Sequence, residues 1–90
     1  MTETLNKTIF RYVIPDDDRV YSFPSNKPIA VGNAGVGGVE FWTEYDMDNP
    51  PLPRNFKIIG TGDTIPDGAE HCGTAPRNSL GLVWHLYELP

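Results

Sequence analysis

The chain has 90 residues and a net charge of −5, with 12 acidic side chains against 7 basic ones. That length supports one domain. The basic residues Lys7, Arg11, Arg19, Lys27, Arg54, Lys57 and Arg77 stand singly, which argues against non-specific nucleic-acid binding, a process driven by phosphate neutralisation. A lone Cys72 rules out an intrachain disulfide, and no apolar run nears the roughly eighteen residues of a membrane span.

Several of these features point to the cytoplasm. Residues 1–7 are polar and lack the apolar segment of a signal peptide. A single cysteine suits a reducing compartment. The expected layout is a flexible tail over residues 1–7 and one β domain over residues 8–90. Nine glycines and nine prolines mark many turns and short elements.

Residues 8–14 (TIFRYVI) are β-branched and aromatic and predict a first strand. Phe10, Tyr12 and Ile14 share one face, and Ile9, Arg11 and Val13 the other. Arg11 is a candidate cation facing a ligand. Its plainer role is to lay its stem over apolar surface. Pro15 and the three aspartates Asp16, Asp17 and Asp18 break the strand. A calcium loop would need alternating acids, a glycine and a distal Glu, and none follows, so no metal site is expected. Residues 19–23 predict a second strand, paired with the first as a hairpin. Residues 27–33 predict a third.

Gly32, Gly35, Gly37 and Gly38 crowd the next turn. A phosphate loop would need a Gly-Lys-Ser/Thr ending and a helix after it. A strand follows instead, so the glycines read as a wide hairpin. That strand, residues 39–45 (VEFWTEY), alternates apolar and polar positions, with Trp42 on the polar face. Residues 46–53 (DMDNPPLP) are a proline-rich loop. Strands are predicted over residues 54–60 and 69–74.

The closing stretch, residues 80–89 (LGLVWHLYEL), is the longest run of strand-forming types. Its two faces would both be apolar, which predicts an interior strand covered on each side. It also predicts self-association, most simply a twofold dimer. Six or seven strands and no helical spacing give an all-β fold: a compact antiparallel β-sandwich or a small open barrel.

Three clusters carry a resemblance: Ile59-Gly60-Thr61-Gly62-Asp63-Thr64-Ile65-Pro66, then Cys72-Gly73-Thr74, then Leu82-Val83-Trp84-His85-Leu86-Tyr87-Glu88. With the opening Lys7-Thr8-Ile9-Phe10-Arg11-Tyr12, they resemble a small uncharacterised family of bacterial and phage hypothetical proteins, a domain of unknown function. The resemblance implies a compact β fold and a phage or prophage setting. It implies no catalytic residues.

The Gly60-Thr61-Gly62 and Gly73-Thr74 turns could form a rim of N–H and hydroxyl donors beside His85. Equally, they could be strand ends without a ligand. His85 is either a donor to a ligand or a core histidine with its hydrogen bonds satisfied. His71 and Cys72 are adjacent, so they point to opposite faces and have no zinc-ligand spacing. A Cys–His nucleophile pair would require Cys72 to meet His85 in space.

The expected function is non-catalytic binding of a small nucleotide-like ligand, with no cofactor and no catalytic residue. In a phage setting this would be an anti-defence protein that sequesters a host nucleotide immune signal. Candidate ligand-binding residues are Arg11, Trp42, Gly60, Thr61, Gly62, Thr74, Arg77, Trp84, His85 and Tyr87. Glycine and threonine turns would meet phosphate, arginine would supply charge, and aromatics would stack on a base. The alternatives are a protein-binding inhibitor of a host enzyme and a small hydrolase using Cys72 or a carboxylate.

Overall fold

A computed structural model describes residues 6–90. It is an all-β sandwich of seven strands: β1 (Lys7–Pro15), β2 (Tyr21–Pro24), β3 (Ala30–Asn33), β4 (Gly38–Asp46), β5 (Pro53–Gly60), β6 (Glu70–Thr74) and β7 (Trp84–Leu89). No helix occurs among the described residues, so none is long and apolar enough to cross a membrane. Most of residues 1–7 lies outside the described part. Lys7 is already in β1, and the Asn6 carbonyl accepts a hydrogen bond from Met47 N.

Two antiparallel sheets face each other. Sheet A has the order β1-β4-β3 and sheet B the order β2-β5-β7-β6. The alternation of each strand decides what lies between them. Sheet A contributes Ile14, Val39 and Phe41, and sheet B contributes Phe56, Ile58 and Leu86, all at most 5% exposed. Phe41 and Phe56 meet across the gap at 4.8 Å between ring centres. Tyr12 stacks on Phe23 at 4.5 Å, and its hydroxyl donates to the Pro24 carbonyl at 2.6 Å, which closes one side. Asn33 Nδ2 donates to the Pro76 carbonyl at 2.7 Å and helps close the other.

The predicted β1–β2 hairpin does not form. β1 pairs with β4, and β2 pairs with β5 in the opposite sheet. The Pro15–Asp18 break carries the chain across the sandwich instead of turning it back alongside itself. The glycine-rich turn does join a hairpin, β3 to β4. There Trp42 lies on the outward side of sheet A, with its ring 3.5 Å from where a Cβ on Gly32 would stand.

The closing strand is shorter than the sequence predicts and begins at Trp84. Asn78 is the cause. Its Oδ1 accepts from Leu80 N at 2.9 Å and Leu82 N at 3.0 Å, and Gly81 turns with φ of 78°. Amides that a strand would pair are captured by one side chain. Leu80 and Leu82 are therefore 67% and 42% exposed. β7 itself is interior, hydrogen-bonded to β5 on one side and β6 on the other. Its inward face is buried at Leu86, but its outward face, His85, Tyr87 and Leu89, is covered only in part.

A candidate ligand face on sheet B

The outward side of sheet B is organised by a β-bulge. β6 pairs with β7 through His71↔Tyr87 and then Gly73↔Leu86, with Cys72 as the extra residue. In a regular strand, His71 and Thr74, three positions apart, would face opposite ways. One inserted residue puts both outward. Gly73 faces inward, where a Cβ would stand 2.5 Å from Val31 Cγ2, so β3 and β6 approach closely only because this position is glycine.

The result is a continuous hydrogen-bonded row. Thr61 Oγ1 lies 3.0 Å from His85 Nε2, His85 Nδ1 lies 2.9 Å from Thr74 Oγ1, and Thr74 Oγ1 lies 2.9 Å from His71 Nε2. A hydroxyl has one proton, so each threonine donates to one partner and accepts from the other. In one order His71 Nε2–H donates to Thr74, Thr74 to His85 Nδ1, His85 Nε2–H to Thr61, and Thr61 to the Val83 carbonyl at 3.4 Å. The reverse order also satisfies every imidazole nitrogen in the row. It leaves His71 Nδ1 as an outward donor, whereas the first order leaves it an acceptor. The row therefore fits a ligand of either hydrogen-bonding sense.

Two features frame the row. Tyr87 packs edge-on against His71 at 5.3 Å, and Lys57 stands opposite Tyr87 on β5. The outward positions of β5, β6 and β7 include no Asp or Glu. Glu70 and Glu88 face inward, opposite one another, and Glu88 pairs with Arg54 at 2.9 Å. In a chain of net charge −5, the outward strand positions of this face carry no carboxylate.

Thr61 also opens onto a cleft of about 250 Å³ lined by Gly60, Thr61, Asp63, Gly81, Leu82, Val83 and Trp84. The turn beneath it is tight. Gly62 adopts φ of 93°, Asp63 N donates to the Gly60 carbonyl, and Gly60 N donates to Asp63 Oδ2 at 3.1 Å. A Cβ on Gly60 would stand 2.8 Å from that carboxylate oxygen and 3.0 Å from the Trp84 ring. Trp84 walls a second cleft of about 280 Å³, shared with Asp16, Asp17, Asp18, Asp63 and Ile58. The Trp84 indole nitrogen is buried and has no hydrogen-bond partner.

Of the candidates named from sequence, Thr61, Thr74, His85 and Tyr87 meet on the outward face of sheet B, and Gly60, Gly62 and Trp84 lie near the same end, with Gly60 and Trp84 on the inward side, where Trp84 packs against the core. Arg11 and Trp42 do not join them; both lie outward on sheet A. Arg77 is exposed in the β6–β7 connection and makes no ion pair among the described residues. His71 and Lys57 belong to the face and are missing from the sequence-based set. The signal for His71 was Gly73, since a glycine inside a short strand marks a bulge.

Cys72 packs against the core from the inward side of β6. Burial, with the Glu88 carboxylate nearby, pushes its thiol above the ordinary value. The sheet thus stands between Cys72 and His85, and the nucleophile pair considered from sequence is not assembled. Among the described residues, no group of three or more His, Cys, Asp or Glu side chains is placed to hold a metal ion.

No curated protein and no solved structure matches the chain. A family model does match, over residues 5–90, and is described as a domain of unknown function, DUF7352. The chain belongs to that family.

Proposed function

We propose that the protein is a non-catalytic binder of a small nucleotide-like ligand, held where the outward face of sheet B meets the Thr61 cleft. The observation that carries this reading is the Thr61–His85–Thr74–His71 row, pre-oriented by its own hydrogen bonds and ending at a cleft with apolar walls. Leu82, Val83 and Trp84 supply surface for a planar ring, and Asp63 supplies an acceptor for a base N–H. His71 Nδ1–H, in the order that makes it a donor, and Lys57 supply donors for phosphate beside strand positions that carry no carboxylate. In the phage setting that the resemblance implies, such a binder would act by sequestration and remove a host nucleotide immune signal.

The test is thermal melting with a series of mononucleotides and linear and cyclic dinucleotides. A ligand that binds only the folded form raises the Tm in proportion to the logarithm of its concentration, by about 2.7 kcal/mol of stability at a hundredfold excess over Kd. At least one nucleotide should raise the Tm, and Thr61→Val should abolish the rise. A series that leaves the Tm unmoved, or a rise that Thr61→Val leaves intact, would count against this site.

A further inference from the structure

The outward face of sheet A is built as two rows of opposite character. β1 presents Lys7, Ile9, Arg11 and Val13; beside it, β4 presents Glu40, Trp42, Glu44 and Asp46. The first row has no acid and the second no base. Ile9 and Val13 are 59% and 44% exposed, a large apolar exposure for one strand of a small domain. Arg11 reaches Glu40 at 2.8 Å yet stays 58% exposed, and Lys7, Glu44 and Asp46 make no ion pair among the described residues.

We propose that this face docks a second copy of the chain, about a twofold axis that runs parallel to the strands between β1 and β4. Such an axis lays each row on the opposite row of the second copy. By the β1–β4 register, Arg11 then meets Trp42 of the second copy, and Lys7 meets its Asp46. A guanidinium over an indole face gains a cation–π contact, and the lysine gains a carboxylate. Ile9 and Val13 flank Arg11 and, by the same register, stand over Glu44 and Glu40 of the second copy. An axis perpendicular to the strands would instead set β4 on β4, acid on acid, and β1 on β1, base on base. The charge pattern thus selects both the occupant and its orientation. Three strands make a narrow face, so the association belongs at the weak end of specific interfaces, in the micromolar range.

Sedimentation velocity on three forms tests this. The unmodified protein should shift from monomer to dimer across the micromolar range, and less so as salt is raised. Lys7→Glu with Arg11→Glu makes both rows acidic, and Glu44→Arg with Asp46→Lys makes both net basic, Glu40 being retained. Each doubly substituted form should associate more weakly by roughly tenfold or more. Mixed together, they should recover dimer, because each row again meets its opposite. Circular dichroism confirms that both forms are folded. An unmodified protein that stays monomeric at every concentration would overturn the proposal. So would a dimer unaffected by either charge reversal, or a mixture that recovers nothing.

Discussion

The two outer faces of the sandwich are both built of antiparallel strands but present different chemistry. Sheet A's outward side alternates cationic, apolar and acidic positions, with an exposed Arg11–Glu40 pair between strand neighbours. Sheet B's outward side carries no strand carboxylate, and its polar groups hold one another in a line. The difference comes from one inserted residue. A regular β6 would send either His71 or Thr74 into the core, and the row would break at Thr74. The bulge keeps both outside, and Gly73 makes room for it against Val31. A face whose groups are fixed by neighbours spends less ordering entropy when a ligand arrives. A face of exposed charged side chains suits a loose, salt-sensitive contact.

The largest effect should come from filling the space beside the bulge. Gly73→Val places a branched side chain where even a Cβ overlaps Val31, and overpacking of this kind costs about 1–3 kcal/mol. Urea unfolding should show that loss. It should also show sheet B's nucleotide response disappearing before any change in sheet A's self-association. If the response survives, the bulge does not set the row.

Thr74→Val is next. It removes the hydroxyl shared by His71 and His85 but preserves shape, so the stability loss should be about 1 kcal/mol. Nucleotide response should fall much further than stability does. Dimerisation should be unchanged, which separates the two faces in one variant.

On sheet A, Arg11→Glu should cost little stability, within about 1 kcal/mol, because the pair it breaks is exposed. Sedimentation should detect it and nucleotide melting should not.

The smallest effect concerns the turn between the sheets. The Tyr21 hydroxyl donates to Asp17, and this bond holds the Asp17 carboxyl below its ordinary value of 3.8. A carboxyl lowered in the folded state contributes stability that is present above that ordinary value and lost as pH falls through the folded pKa. Tyr21→Phe should bring Asp17 back toward its ordinary titration, followed by NMR. Its melting temperature should differ from the unmodified protein near neutrality and converge with it in acid.

Much of the fold was legible in the sequence because alternation is a local signal. The burial of Phe41 against the exposure of Glu44, or of Leu86 between His85 and Tyr87, is written in period two. Pairing was not legible in the same way. Pro15 to Asp18 looks like a hairpin turn, yet it crosses between sheets, because β1 and β2 pair in different sheets and both contribute to the core between them. The start of β7 was hidden for a related reason. Nothing in LGLV shows that Asn78 will hold the amides of Leu80 and Leu82. At the site, Thr61, Thr74 and His85 could be grouped because two strand-end turns lie near one strand. His71 escaped because regular spacing places it on the far side from Thr74. Arg11 and Trp42 were grouped with them on residue type alone, and the crossing of β1 into sheet A separates them.

The most direct measurement is a titration of the isotope-labelled protein with mononucleotides and linear and cyclic dinucleotides, followed through backbone amides and histidine ring nitrogens. The expected result is perturbation centred on Thr61, His71, Thr74, His85 and Tyr87, with Arg11 and Trp42 still. Perturbation centred on Arg11 and Trp42, or spread evenly over both sheets, would contradict it.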